Sequence, residues 1–196
     1  MHARLELSIV QDIRGHPNIV DVYCVDDFSY PDMSVLVMEE CEGDLKPLRN
    51  PKMEYPQLLS DLRDGLVHMH KHRVIHLDIK PENVLKCKNP NDPSKRIYKY
   101  NDFGFAQYIS SQTNSCTGQW RGTPDFMAPE LDGDRCKVSA KADIYAIGLT
   151  IKETLRGYAS RNQELDELVG GSIDKKFEDR FSVDEFSRKV DEILGN

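Results

Sequence analysis

The sequence of 196 residues lacks the features that define several classes of protein. It has no apolar run of the roughly 18–20 residues that cross a bilayer, and its first residues lack the apolar core of a signal peptide. Basic residues are too few to balance the acidic ones, since 26 Lys and Arg against 33 Asp and Glu give a net charge of −7. An acidic chain repels nucleic acid and anionic lipid, so we expect it to bind neither nucleic acid nor a membrane.

Cysteine is scarce and irregularly placed. The five cysteines are scattered and odd in number, and they include no C-x-x-C pair. This pattern indicates neither a disulfide framework nor a zinc site. We therefore expect a reducing compartment, the cytoplasm, with the nucleus as the alternative. Unpaired thiols in a secreted protein are the remaining interpretation.

The spacing of apolar residues predicts a small mixed segment followed by a mostly helical body. No internal repeat interrupts this order, and the only plausible domain boundary lies near residues 39–44. The predicted elements are a helix over 6–13, strands over 19–26 and 34–38, a polar link over 39–56, a Leu-rich helix from 57, strands over 84–88 and 96–100, an irregular loop over 104–122, an Ile-rich helix through 144–155 and a last helix capped by Ser182 and Glu185.

Three short motifs follow one another in a fixed order. Residues 76–83 (His-Leu-Asp-Ile-Lys-Pro-Glu-Asn) lie between the Leu-rich helix and a strand, and Asp-Phe-Gly at 102–104 and Ala-Pro-Glu at 128–130 come later. One triplet is a weak signal, but three in this order and in this secondary structure are specific. The set resembles the catalytic half of a eukaryotic-type Ser/Thr protein kinase domain. The resemblance implies an α+β fold with a mainly helical C-lobe and a partial N-lobe.

The resemblance also implies a phosphoryl-transfer site that uses ATP and Mg²⁺. Asp78 would accept the proton of a substrate hydroxyl, and Lys80 would reach the transferring phosphate, as it does in Ser/Thr rather than Tyr kinases. Asn83 and Asp102 would supply hard oxygen ligands to Mg²⁺. The implied substrate is a protein with a Ser or Thr acceptor.

Residues 35–45 resemble the strand and hinge that hold the adenine ring. By this resemblance Met38 is the gatekeeper, and the backbone carbonyl of Glu39 and amide of Cys41 face the adenine edge. Asp44 would lie near the ribose, and Leu85 would form the floor of the adenine slot. The implied division is a partial N-lobe over 1–38, the hinge over 39–45, and a C-lobe with a shortened C-terminal region over 46–196.

Other positions match structural parts of the same family. In the N-lobe and between the lobes, the matches are Glu6 on the helix and an apolar spine of Val10, Val22, His76 and Phe103. Around the catalytic loop, Asp143 would brace the loop and Thr123 would contact Asp78 and Lys80. In the C-lobe, Glu130 and Arg180 would form a buried ion pair.

The sequence departs from the family in three places. It contains no Gly-rich loop or strand Lys before Glu6, few residues separate Gly157 from Arg180, and Leu77 replaces the usual Arg. We therefore expect weak ATP binding and slow turnover from this chain alone. The alternative is a weakly active or inactive binding or regulatory module, which would contact another kinase or a regulatory protein through apolar residues around Val10, Val22, Met38 and Leu85. A third alternative is a metal-dependent phosphotransferase of another family.

Overall fold

The structure is a computed structural model that describes residues 2–30, 33–45, 48, 50–109, 113–116, 122–132 and 136–195. Helices and short antiparallel sheets alternate along these ranges, which is the α+β arrangement predicted. The helices are α1 (His2–Ile13), α2 (Pro51–Lys71), α3 (Ala140–Leu155), α4 (Gln163–Ser172) and α5 (Val183–Leu194). The strands are β1 (Val22–Tyr30), β2 (Met33–Met38), β3 (Gly43–Asp44), β4 (Val74–Ile75), β5 (Val84–Asn89), β6 (Asp92–Tyr100), β7 (Gln107–Tyr108), β8 (Thr113–Cys116) and β9 (Cys136–Ser139).

The first segment combines a helix with a hairpin. Helix α1 buries Ile9 and Ile13, one helical turn apart, and β1 pairs antiparallel with β2 in a register that sets Val22 opposite Met38. Backbone hydrogen bonds join this segment to the body, because the amide of Val20 donates to the carbonyl of Tyr100 at 3.0 Å. The hairpin therefore ends beside the strand that leads to Asp102.

A three-stranded antiparallel sheet has the order β3-β5-β6, and its strand β3 forms the end of the predicted hinge. One face packs on α2, where the hydroxyl of Tyr100 donates to the carbonyl of Leu62 at 2.8 Å. Side chains alternate between the faces of a strand, so the directly opposed pairs Leu85–Lys99 and Cys87–Ile97 share the other face. That face is the one toward the hinge.

The helical body is built on apolar stripes of α2, α3 and α5. The buried residues of these stripes include Leu58, Leu62, Leu66, Ile144, Ile147, Ile151, Phe186 and Val190. Each such side chain contributes about 1.5–3 kcal/mol when it leaves water. Helix α5 carries the predicted capping box, in which Ser182 and Glu185 exchange side-chain and backbone hydrogen bonds. None of the described helices combines the length and the hydropathy that a membrane span requires.

Several predicted boundaries differ from the structure, including the starts of β1 at Val22 and of β6 at Asp92 rather than at residues 19 and 96. Helix α2 begins at Pro51 rather than at residue 57, because Pro51 fits the first turn and Pro56 forfeits only one hydrogen bond near the helix start. The region 104–122 is not wholly irregular, since β7 pairs with β4 and β8 pairs with β9. These strands are short and polar, so no period marks them. Residues 110–112 and 117–121 of that region lie outside the described residues.

Candidate active site

The loop after β4 gathers polar side chains around Asp78, which is 3% exposed. One carboxylate oxygen, Oδ1, accepts hydrogen bonds from the amide of Thr123 at 2.7 Å and from its hydroxyl at 2.8 Å. The other oxygen, Oδ2, accepts from Nδ2 of Asn83 at 2.8 Å and lies 3.0 Å from Nζ of Lys80. The structure thus brings Asp78, Lys80 and Asn83 together and adds Thr123 to them.

Thr123 connects this cluster to the segment that precedes Ala128. Its hydroxyl accepts a hydrogen bond from Nζ of Lys80 at 2.6 Å while it donates to Asp78. The preceding Gly122 has a φ of +97°, and a Cβ there would meet the carbonyl oxygen of Leu77 at 2.3 Å. Only glycine lets the two backbones approach this closely, which allows the Thr123 amide to reach Asp78.

Asp143, at the start of α3, holds the other side of the catalytic loop. Its two carboxylate oxygens accept hydrogen bonds from the amides of His76 and Leu77, each at 2.9 Å, and Nε2 of His70 lies 2.8 Å away. Leu77 has a positive φ of 66°, a conformation that its hydrogen bond to Asp143 helps to retain. The predicted brace is therefore present as a fully buried carboxylate.

His76 joins the catalytic loop to the segment that carries Asp102. Its Nε2 lies 3.1 Å from the carbonyl of Asn101, and its Nδ1 accepts from the amide of Asp78 at 3.3 Å. Burial lowers the pKa of His76 against the opposing effect of the surrounding Asp carboxylates. A neutral ring that donates from Nε2 and accepts at Nδ1 satisfies both contacts.

Asp102 is brought next to this loop by backbone contacts. The amide of the preceding Asn101 donates to the carbonyl of Asn83 at 2.9 Å, so the two predicted metal ligands belong to adjoining backbone segments. Asp102 itself has a φ of 60°, and its Oδ1 accepts from the amide of Gly104 at 3.2 Å. The ring of the following Phe103 lies 4.9 Å from that of His76.

A cavity of about 230 Å³ opens between α1, the β1–β2 hairpin and Asp102. Its lining is Glu6, Val10, Val20, Val22, Leu36, Met38, Asn101, Asp102 and Phe103. Met38, the predicted gatekeeper, and Asp102 therefore line one cleft, together with Val10, Val22 and Phe103 of the predicted spine. Burial, and secondly the charge of Asp102, raises the pKa of Glu6. Both effects disfavour the ionised form of Glu6.

The predicted hinge, residues 39–45, attaches to the rest of the chain through side chains and through backbone hydrogen bonds, such as that of the Glu42 amide to the carbonyl of Lys86 at 2.8 Å. Oε1 of Glu39 accepts from Nζ of Lys99 at 2.5 Å and from the amide of Asp21 at 2.8 Å. None of the hydrogen bonds among the described residues uses the carbonyl of Glu39 or the amide of Cys41. These are the two backbone groups expected to face adenine.

Asp44 and Leu85 lie together at the end of the hinge. They are directly opposed in the β3–β5 ladder, so the predicted ribose contact and the predicted floor are cross-strand neighbours. Of the predicted adenine and ribose contacts, the cleft lining includes Met38, whereas Glu39, Cys41, Asp44 and Leu85 lie outside that lining. The structure therefore places Met38 and Asp102 at the cleft, and the other four residues along the hinge and β5.

Cysteine provides a correction to the sequence analysis. Cys41 and Cys87, 46 residues apart, are joined by a disulfide, although the cysteine pattern indicated none. The pairing arises because the hinge lies against the face of β5 that carries Leu85 and Cys87, and the local spacing of the cysteines does not indicate that contact. Lys99 was also missed as a partner of Glu39. The available signal in the sequence was a single Lys in the otherwise apolar stretch Ile97–Tyr100. In the structure this Lys is 5% exposed, and a buried Lys requires an anionic partner.

The ion pair expected in the C-lobe is present and lies away from the cleft. Both guanidinium NH groups of Arg180 donate to Glu130, at 2.5 and 2.8 Å, and the Arg180 side chain is fully buried. The guanidinium also stacks on the ring of Tyr145 at 4.9 Å. This arrangement holds the Ala128–Glu130 segment against α3 and the stretch before α5.

Comparison with known proteins identifies the family. The protein kinase domain matches residues 1–192, so this chain belongs to the protein kinase domain family. It is 32% identical over 84% of its length to serine/threonine-protein kinase 36 of Pongo abelii, and 32% identical over 87% to serine/threonine-protein kinase atg1 of Dictyostelium discoideum. It is 33% identical over 84% to serine/threonine-protein kinase ULK3 of Rattus norvegicus. The chain spans 12%, 26% and 35% of the lengths of these three relatives.

Proposed function

We propose that this chain is the catalytic part of a protein serine/threonine kinase, which transfers the γ-phosphate of ATP to a Ser or Thr hydroxyl of a protein. The observation that carries the proposal is the hydrogen-bonded set of Asp78, Lys80, Asn83 and Thr123 beside Asp102. Family membership and three serine/threonine kinases among its relatives support the same reaction.

Asp78 is proposed to orient the acceptor hydroxyl and to take its proton. Thr123 fixes Oδ1 through two hydrogen bonds, which leaves Oδ2 as the oxygen that turns toward a substrate. Lys80 now contacts Oδ2, and a bound phosphate would compete for its ammonium group. In that state Lys80 would neutralise the transferring phosphoryl group while Oδ2 accepts the hydroxyl.

Asn83 and Asp102 are proposed to hold Mg²⁺. Nδ2 of Asn83 donates to the carbonyl and to Oδ2 of Asp78. The amide oxygen of Asn83, Oδ1, therefore points away from Asp78. An amide oxygen and a carboxylate are hard donors that suit Mg²⁺, so the residues present fit the ion. When bound, Mg²⁺ neutralises charge on the phosphates.

The adenine ring is proposed to bind along the hinge. The carbonyl of Glu39 would act as acceptor and the amide of Cys41 as donor, with Met38 at the cleft and Leu85, opposite Asp44 in the β3–β5 ladder, as the floor. Asp44 would receive the ribose. In this scheme residues 1–38 act as a partial N-lobe, 39–45 as the hinge and 46–196 as the C-lobe.

The test is a phosphotransfer assay with labelled ATP and Mg²⁺ on peptide libraries whose acceptors are Ser, Thr or Tyr. We expect label on Ser and Thr peptides only, and a loss of about 10³-fold or more in Asp78→Asn. Asp184→Asn is the matched control, because Asp184 is exposed on α5 and should leave the rate unchanged. Equal rates in Asp78→Asn and the wild type would refute the proposal.

A binding or regulatory role is the second candidate, and one observation favours it. Tyr23 and Val37, from adjoining strands of the β1–β2 hairpin, are 69% and 48% exposed, whereas Met38 lines the cleft. Val10 and Leu85 do not belong to this surface, since Val10 is buried and Leu85 half-buried. A partner kinase or regulatory protein that binds Asp78→Asn as tightly as the wild type, with no phosphotransfer by either, would establish this role.

A further inference from the structure

Two neighbouring side chains of the hinge are fixed to the same face of the β5–β6 sheet. Glu39 pairs with Lys99 at 2.5 Å, and Cys41 is bonded to Cys87. Lys99 and Cys87 are 5% and 1% exposed, and the Glu39 carboxylate and the two sulfurs lie within 4.8 Å of one another. The hinge is therefore held by an ion pair and a covalent bond placed side by side, in addition to the Glu42–Arg96 pair and the hydrogen bond of the Glu42 amide to the carbonyl of Lys86, and only the covalent bond can be opened by reduction.

The covalent attachment acts on a residue of the proposed nucleotide site. The amide of Cys41 is the proposed donor to adenine, and its position is tied through the side chain to strand β5. Leu85, the proposed adenine floor, lies two residues before Cys87 on the same face of that strand. The disulfide thus fixes the distance between the donor and the floor, which preorganises the slot.

We infer that Cys41 and Cys87 form a reducible tether that sets the position of the hinge and thereby regulates nucleotide binding, an inference that rests on the proposed function. The reductant is a dithiol. One of its thiolates attacks the sulfur of Cys41, which is partly exposed whereas Cys87 is buried, and Cys87 leaves as a thiolate.

The exchange is completed within the dithiol. Its second thiolate attacks the mixed disulfide, Cys41 is released, and the dithiol becomes a cyclic disulfide. Two electrons pass to the cysteine pair, and the two protons of the dithiol end on the two cysteines. Oxidised glutathione drives the reverse reaction, so both states of the chain can be prepared.

Reduction removes the covalent attachment and leaves the Glu39–Lys99 pair, the Glu42–Arg96 pair and the hydrogen bond of the Glu42 amide to the carbonyl of Lys86. We expect the hinge amides over residues 39–42 to exchange hydrogen faster, because the segment then samples more conformations. The Kd for Mg-ATP should rise roughly three- to tenfold, since binding must now order the hinge.

The experiment compares the full chain treated with oxidised glutathione and the full chain treated with dithiothreitol. Peptide mapping after alkylation verifies the thiol state, hydrogen exchange reports on residues 39–42, and titration gives the Kd for Mg-ATP. Cys41→Ser and Cys87→Ser should resemble the reduced wild type and should not respond to dithiothreitol. Cys24→Ser is the matched control, which should retain the full response.

Each outcome decides the inference. A Cys41–Cys87 linked peptide, faster hinge exchange after reduction and a higher Kd for Mg-ATP support it. Absence of the linked peptide after oxidation overturns it, as does an unchanged Kd when reduction is complete. If Mg-ATP binds neither state, the proposed function fails and the regulation of nucleotide binding fails with it, while hydrogen exchange over 39–42 still decides whether the disulfide holds the hinge.

Discussion

Replacing Arg180 by Ala should damage the stability of the fold without touching the cleft. The guanidinium is fully buried and donates to Glu130, to the carbonyl of Asp174 at 2.9 Å and to the carbonyl of Lys141 at 2.9 Å. The Ala variant leaves the Glu130 carboxylate, 12% exposed, without its cation and leaves two carbonyls without this donor.

The expected loss follows from that inventory. Removing one partner of a buried ion pair lowers the free energy of unfolding by about 3–5 kcal/mol. For a chain of this length, each kcal/mol corresponds to about 2–4 °C in Tm. The Tm of Arg180→Ala, measured by circular dichroism, should therefore fall by roughly 6–20 °C.

Two controls separate this explanation from a general effect of losing a long side chain. Lys189→Ala removes an exposed pair with Glu192 and should change the free energy of unfolding by about 0–1 kcal/mol. The double variant Glu130→Ala/Arg180→Ala leaves no lone buried charge, so it should lose less than the two single variants summed. A Tm of Arg180→Ala within about 2 °C of the wild type would show that the pair does not stabilise the chain as reasoned here.

Three further substitutions test other parts of the structure. Burial raises the pKa of Asp61 from 3.8 to about 6, so the ionised carboxylate is disfavoured in the folded state. The free energy of unfolding should therefore fall by on the order of 3 kcal/mol as the pH rises from about 4 to about 6. Denaturant melts should show Asp61→Asn gaining stability relative to the wild type over that window, and a pH-independent difference would contradict the assignment. Gly122→Ala should displace Leu77 and reduce phosphotransfer at least roughly tenfold. Gly170→Ala is the control, because open space surrounds Gly170 and its rate should not change. Equal rates in Gly122→Ala and the wild type would refute the close approach. Asp143→Ala leaves the amides of His76 and Leu77 without acceptors, so unfolding free energy should fall by about 2–4 kcal/mol in the same melts, and a loss below about 0.5 kcal/mol would be inconsistent with the brace.

The parts of the site that are local in sequence could be predicted. Asp78, Lys80 and Asn83 occupy one loop, whose motif resembles the catalytic loop of protein kinases before any coordinates are known. Helix α5 was predicted for a similar reason, since its capping box and apolar stripe are contained in one segment. Contacts of Thr123, Asp143 and Arg180 were anticipated through resemblance to kinases, because their partners are too distant in sequence for periodicity to reveal.

Other features depended on the three-dimensional arrangement. The start of α2 was misplaced because Pro56 reads as a helix breaker, while its position near the helix start makes the lost hydrogen bond tolerable. Strands β7 and β8 exist through partners that are far away in the chain, since two or four polar residues carry no period of their own.

The sequence by itself determined the family, the loop that carries Asp78, Lys80 and Asn83, and the main helices, because order, residue type and helical period are local properties of the chain. Only the tertiary structure decided that Glu39 meets Lys99 and that Cys41 meets Cys87. Those contacts exist because the hinge crosses the face of the β5–β6 sheet that carries Cys87 and Lys99. Segments 46 residues or more apart meet there, and the local composition of either segment does not predict such a contact.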